Sequence, residues 1–183
     1  MLPWLLLAPV TLVVSGSLVY CVLTIVSAVR YRAVRPAPLR HGAPISILKP
    51  LAGIDDGLEE NLRTFFEQDY PDFEILFAVR TASDPAIAVV DRLRARYPGV
   101  PSRLIVTREP PYPNAKVYSL DRMLAAARHD LLVMSDSDIR VTPDMLAVIA
   151  AEFQDAKLGL ATCPYRAVPG RSFWNTQIGR AHV

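Results

Sequence analysis

The first 29 residues, Met1 to Val29, contain no Asp, Glu, Lys or Arg, and this divides the chain before any other feature is considered. At about 1.5 Å per residue, such a run is long enough for a tilted helix across a hydrocarbon core of roughly 30 Å. A cleaved leader would open with basic residues and carry a shorter apolar core, and nothing basic precedes this run, so a retained anchor is expected over residues 1–29. Arg30, Arg32, Arg35 and Arg40 follow directly. Positive charge beside a span marks its cytoplasmic end, so the rest of the chain is expected on that side of the membrane. The same arginines lack interleaved aromatics and would lie next to anionic headgroups, which favours membrane contact and argues against nucleic acid.

The hydrophobic fraction of 51% is inflated by this segment, and the remainder has an ordinary soluble composition with nearly balanced charge. Cys21 inside the span and Cys163 near the other end do not make a disulfide framework. Pro36, Pro38 and Pro44 with Gly42 read as a stiff basic linker over residues 30–44, after which a folded domain is expected over residues 45–177. Apolar periodicity then alternates. Strands are expected at Ile45–Leu48, Glu74–Val79, Arg103–Val106, Leu131–Met134 and Leu158–Cys163. Helices are expected at Leu58–Gln68, Pro85–Tyr97, Lys116–Ala127 and Pro143–Phe153. Asp84 before Pro85 and Thr142 before Pro143 read as N-caps with proline at the first helical position. Short apolar strands alternating with helices predict an α/β domain with a mostly parallel sheet covered on both faces.

Ligands of open α/β sheets bind outside the carboxyl ends of the strands. Asp136-Ser137-Asp138 stands there, directly after Leu131–Met134. Two carboxylates one residue apart suit a hard divalent ion, Mg2+ or Mn2+, together with phosphate oxygens. A D-x-D triplet alone is weak evidence, since most are solvated turns, and the preceding strand supplies the context. Lys49-Pro50, Asp84 and Asn114 to Lys116 follow other strands and are expected on the same edge. An acid can accept from a uracil N–H, a lysine can pair with a diphosphate, and a metal can neutralise a leaving diphosphate as a Lewis acid. Against this, Lys49 and Lys116 could be solvated surface lysines, and Asp84 could be a cap. Asp55, Asp56, Glu59 and Glu60 read as a favourable acidic helix start without chemistry, so Asp55→Ala is expected to leave binding unaffected. His41, His129 and His182 lack metal spacing. Neither G-x-x-x-x-G-K nor G-x-G-x-x-G occurs, which argues against a P-loop or Rossmann cofactor enzyme.

With these residues assembled, the chain resembles the membrane-bound ceramide glucosyltransferases and their bacterial relatives, including hopanoid-associated glycosyltransferases, among the inverting GT-A enzymes of the family 2/21 type. Ser46-Ile47-Leu48-Lys49-Pro50-Leu51, Leu58-Glu59-Glu60-Asn61-Leu62 and Phe66-Glu67-Gln68-Asp69-Tyr70-Pro71 look like that family's opening signature. The resemblance implies a GT-A fold. It further implies that Asp84 contacts the nucleobase, that Asn114 and Lys116 lie at the donor diphosphate, and that Asp136 and Asp138 hold metal and donor. Lys49 and Pro50 join the donor side. Animal ceramide enzymes resemble D-S-G at the triplet, so the complete D-x-D here points to a bacterial lipid glycosyltransferase of the inner membrane with a cytoplasmic catalytic domain.

The implied activity is transfer of a hexose or N-acetylhexosamine from a UDP-sugar to a lipid hydroxyl with inversion. The alternatives are a processive polysaccharide synthase of the same fold and a catalytically inactive nucleotide-sugar-binding fragment. The family also needs a later aspartate base and a Q/R-x-x-R-W motif, and neither occurs in this sequence. Residues 178–183, Ile-Gly-Arg-Ala-His-Val, match the translation of a common sequencing adapter, so the native protein is expected to continue beyond Gln177.

Overall fold

The computed structural model describes residues 2–35 and 38–165, and the chain divides into two compact units, residues 1–39 and 40–183. Pro36 of the expected linker and residues 166–183, which include the end of the expected domain and the hexapeptide tail, lie outside the described residues.

The first unit is one helix, α1 (Leu2–Ala33), carrying Arg30 and Arg32 in its last turn. From Leu7 to Ala33 its mean hydropathy reaches 2.3, and it is long and apolar enough to cross a membrane. Its two threonine hydroxyls are satisfied within the helix. Thr11 donates to the Leu7 carbonyl and Thr24 to the Tyr20 carbonyl, each at 2.8 Å, as a hydrocarbon environment without water requires.

The second unit is a four-stranded parallel sheet with helices. In chain order it runs β1 (Ile45–Pro50), α2 (Leu58–Phe66), β2 (Phe73–Val79), α3 (Ala86–Arg96), β3 (Ser102–Val106), α4 (Ala115–Leu124), β4 (Leu131–Met134) and α5 (Met145–Glu152). The spatial order is β3-β2-β1-β4, and every neighbouring pair is parallel. β1 and β2 are buried along almost their whole length, the reason they read as continuous apolar runs and not as alternating ones. Side chains still alternate between faces. Ile45, Ile47, Ile75, Phe77 and Val133 pack with Leu62 and Phe65 of α2, Val90 and Leu93 of α3 and Leu146 of α5. Leu48, Leu76 and Ala78 point the other way, onto Met123 of α4. Helices therefore cover both faces, as expected. Phe66 stacks between Phe77 and Tyr97 at centroid distances of 5.8 and 5.5 Å. Each fully buried large side chain contributes about 1.5–3 kcal/mol.

The chain winds outward from β1 through β2 to β3, then crosses by α4 to β4 on the other side of β1. That reversal puts a topological switch point between β1 and β4, the position where open α/β sheets leave a crevice at their carboxyl ends.

Several expected elements differ, and α2 ends at Phe66, short of Gln68. Residues 158–163 form no strand, and Leu160 is 80% exposed; an apolar run becomes a strand only where a neighbour supplies ladder hydrogen bonds, and among the described residues this segment has none. Helix α5 starts at Met145, not Pro143, and the Thr142 side chain does not cap it. Gln68, just beyond α2, does so instead: its Oε1 accepts from the Leu146 amide at 3.2 Å and its Nε2 donates to the Thr142 carbonyl at 2.9 Å. Helix α4 ends at Leu124, short of Ala127.

On the α4 face lies a buried carboxylate, Glu74, only 2% exposed. It accepts from the Ser46 hydroxyl at 2.8 Å, the Arg128 amide at 2.7 Å and the Arg103 guanidinium at 3.3 Å, with Arg128 Nε 3.7 Å away. Arg103 also donates to the Ala126 carbonyl, and its Nε is buried without a partner. Burial pushes the Glu74 carboxyl up, but these donors and guanidinium charges outweigh it and hold the group below the ordinary carboxylate value.

Candidate active site at the carboxyl ends of the strands

The residues singled out in the sequence meet at this edge through a chain of contacts that crosses all four strands. β1 reaches β4 through Lys49. Its Nζ donates to the Asp136 main-chain carbonyl and to Ser135 Oγ at 3.3 Å, and it sits 3.9 Å above the centroid of the Phe65 ring. Lys49 is fully buried, so it neither reaches solvent nor presents its ammonium to the crevice. Burial lowers its pKa to about 7, against the opposing pull of the Asp136 and Asp138 carboxylates. Pro50 lies at the end of β1 beside Ala78.

The loop after β3 reaches β4 through Lys116, in the first turn of α4, whose Nζ pairs with Asp136 Oδ1 at 2.6 Å. Both side chains are half exposed, so the pair is open to a ligand. Asn114 caps the helix that presents this lysine, its Oδ1 accepting from the Val117 amide at 3.1 Å. β2 reaches the loop after β1 through Asp84. Its carboxylate accepts from the Ala86 amide at 2.9 Å and from the Gly53 amide at 3.2 Å, so capping α3 and bridging to the neighbouring loop are one role. Gly53 has φ of +72°, a left-handed conformation that glycine adopts without cost.

Asp136-Ser137-Asp138 forms a turn whose two acids are exposed. Ser137 donates to Asp55 Oδ2 at 2.6 Å, so Asp55, expected only to favour a helix start, belongs to this edge. Farther along, Arg140 pairs with Glu60 at 2.8 Å and approaches Asn61 Oδ1 at 3.3 Å, and the Val141 amide donates to Thr64 Oγ1 at 3.2 Å. Asp55, Asn61 and Thr64 carry no local signal for this role, because their partners are more than 70 residues away. Beside the site, an open cleft of about 380 Å³ is lined by Arg80, Glu109, Tyr112 and Ala115 among others, with Arg80 Nε bonded to Glu109 at 3.0 Å.

Among the described residues no group of three or more His, Cys, Asp or Glu could hold a metal ion. The two exposed acids of the turn, with the Lys116 ammonium beside Asp136, still fit a hard divalent ion of the kind that keeps waters and takes ligand phosphates to complete its shell.

A family model for glycosyl transferase family 21 matches residues 9–182. Ceramide glucosyltransferase 1 of Caenorhabditis elegans is 36% identical over 114 residues, covering 62% of this chain and 24% of the relative. The ceramide glucosyltransferase of Komagataella phaffii is 36% identical over 107 residues, covering 56% and 21%. This chain thus spans about a quarter of the length of these relatives. Among solved structures, the mannosyltransferase PcManGT of Pyrobaculum calidifontis, in complex with GDP-Man and Mn2+, superposes with a TM-score of 0.64 at 24% identity, over 84% of this chain and 45% of that one. TarS of Staphylococcus aureus, in complex with UDP-GlcNAc, superposes at 0.52 and 16% identity, over 68% and 38%. These structures share the GT-A fold. On the match over nearly its whole length, the chain belongs to glycosyl transferase family 21.

Proposed function

We propose that this chain is the nucleotide-sugar half of a membrane glycosyltransferase that moves a hexosyl group from a UDP-sugar to a lipid hydroxyl with inversion. The observation that carries the reading is the half-exposed Lys116–Asp136 pair at the switch point, where a cation and an acid face the space a donor diphosphate would fill. Relatives named as ceramide glucosyltransferases support a lipid acceptor and a hexose. The complex of PcManGT with GDP-Man and Mn2+ supports a nucleotide-sugar donor and a divalent ion in this fold.

Each residue then has a task. Lys116 exchanges its pairing with Asp136 for the donor phosphates, neutralising charge that grows as the diphosphate departs. Asp84, already fixed by the Gly53 and Ala86 amides, keeps acceptor capacity for a uracil N–H, and Asn114 sets the helix start that aims Lys116. Asp136 and Asp138 would hold a Mg2+ or Mn2+ ion, which when bound supplies Lewis-acid stabilisation to the diphosphate. In a single displacement the lipid hydroxyl oxygen bonds to the anomeric carbon as the bond to the diphosphate breaks, and a base takes the hydroxyl proton. No described residue is assigned as that base. With α1 as anchor and its arginines at the inner face, the site would work at the cytoplasmic leaflet, in a bacterium that of the inner membrane.

Titration of the detergent-solubilised chain with UDP-glucose tests this reading. Binding should require Mn2+ or Mg2+ and be lost in Asp136→Ala and in Asp138→Ala. Full-strength binding without metal and in both variants sinks the assignment.

A further inference from the structure

Alternation along β1 puts residue 49 on the face covered by α2, between Ile47 and Leu51, where an aliphatic side chain would continue the core. A lysine stands there instead and is 0% exposed. Burying an ammonium is costly unless it is hydrogen-bonded, and the bonds it makes are specific. They go to the Asp136 carbonyl and the Ser135 hydroxyl, with the Phe65 ring against the cation. The Asp136 carbonyl also accepts from the Ile139 amide at 3.4 Å, so it is the point where the acidic turn closes. Ser135 is tied in turn to β1, its amide donating to the Leu48 carbonyl at 3.2 Å. Lys49 therefore holds the floor of the turn whose rim carries the two exposed acids.

We infer that Lys49 is a positioning residue: from beneath the sheet edge it fixes the peptide of Asp136, and so the spacing of the Asp136 and Asp138 carboxylates, without touching the nucleotide-sugar. This rests on the reading of those acids as the metal and diphosphate site. A donor-contacting lysine would need a path to the crevice, and a fully buried side chain has none without dismantling the turn.

The test uses the full chain in detergent, with Lys49→Met to remove the donor while keeping the apolar stem, and Ser135→Ala to remove one of its two acceptors. Hydrogen exchange without metal or nucleotide should be about tenfold faster over residues 135–141 in Lys49→Met and unchanged over β2, as expected for loss of a buried hydrogen-bond donor. Mn2+ alone, followed by the paramagnetic resonance of the free ion, should bind about tenfold more weakly. At saturating Mn2+, UDP affinity should stay close to the wild-type value. Ser135→Ala should shift exchange and Mn2+ binding in the same direction by about threefold. Wild-type exchange and Mn2+ affinity in Lys49→Met, with loss of UDP binding at saturating Mn2+, would overturn the inference in favour of direct donor contact. If Lys49→Met does not fold, Ser135→Ala decides alone, and wild-type exchange over residues 135–141 in that variant overturns the inference. A wild-type chain that binds no Mn2+ at all, indistinguishable from Asp136→Asn, defeats the metal-site reading instead, while the exchange data still report on the turn.

Discussion

Replacing Glu74 by Gln keeps the size and shape of the side chain and removes its charge. Two donors, the Ser46 hydroxyl and the Arg128 amide, can still bond the amide oxygen that takes the place of Oε1. The position of Oε2 becomes an NH2 facing the Arg103 guanidinium, donor against donor, next to an Arg103 Nε that already lacks a partner. Loss of one charge-assisted bond, with the part-exposed Arg103 guanidinium left facing a buried amide, should destabilise the domain by about 1–3 kcal/mol. That is a large share of the roughly 5–15 kcal/mol of a typical domain. Urea unfolding followed by far-ultraviolet circular dichroism reads the change as a lower midpoint at unchanged slope. The sign of the pH dependence follows from a folded-state carboxyl held below its ordinary 4.5. Above 4.5 the ionised form contributes in full. As pH falls below 4.5 the unfolded chain takes up the proton first, and the contribution fades until the folded-state value is passed. The gap between wild type and Glu74→Gln should therefore be constant at neutral pH and close in acid. A gap below about 0.5 kcal/mol at pH 7, or one undiminished in acid, refutes the reasoning.

Two further outcomes are expected. Asp84→Ala removes the acceptor for the Ala86 and Gly53 amides and should cost about 2 kcal/mol, with faster hydrogen exchange at the start of α3 and in the loop after β1. Asp84→Asn, which keeps an acceptor, should lose about half as much, and equal losses in the two variants would contradict the capping account. Asp55→Ala frees Ser137 and should weaken UDP-glucose binding in the presence of Mn2+ by threefold to tenfold, the equivalent of about 1 kcal/mol. Calorimetric titration giving the wild-type constant would return Asp55 to the role of a helix-start charge.

The strands were legible because β1, β2 and β4 are short, apolar and bounded by breakers, and in β1 and β2 burial on both faces makes such runs conspicuous. The edge on which Lys49, Asp84, Asn114, Lys116 and Asp136 gather was legible too, since a parallel sheet collects its carboxyl ends without regard to sequence distance. Burial depth was not. Nothing local separates Lys49, sealed under a turn, from Lys116, half exposed above it, because the difference is made by Phe65 and Ser135 from other elements. The start of α5 is hidden from local sequence for a related reason. Thr142-Pro143 has the local chemistry of a cap, but the bonds come from Gln68. The run Leu158–Cys163 shows the converse, an apolar stretch whose strand character depends on a neighbour and not on its own residues.

The lacing of the segment after the acidic turn onto α2 has a consequence for how the site comes into being. Its bonds join Gln68 to Thr142, Thr64 to Val141, Gln68 to Leu146 and Asn61 to Arg140 across 74, 77, 78 and 79 positions of chain. Contacts of such long range are slow to form, because loop closure must precede any gain from them. During synthesis β1, α2 and β2 can pair while residues 136–146 are still unmade, so a preformed α2 waits as a template on which the acidic turn is cast. The Asp136 and Asp138 carboxylates would then be among the last features of the domain to acquire their geometry. Lesions on the buried side of α2 should accordingly show first as slow maturation of nucleotide binding, ahead of any loss of the sheet itself.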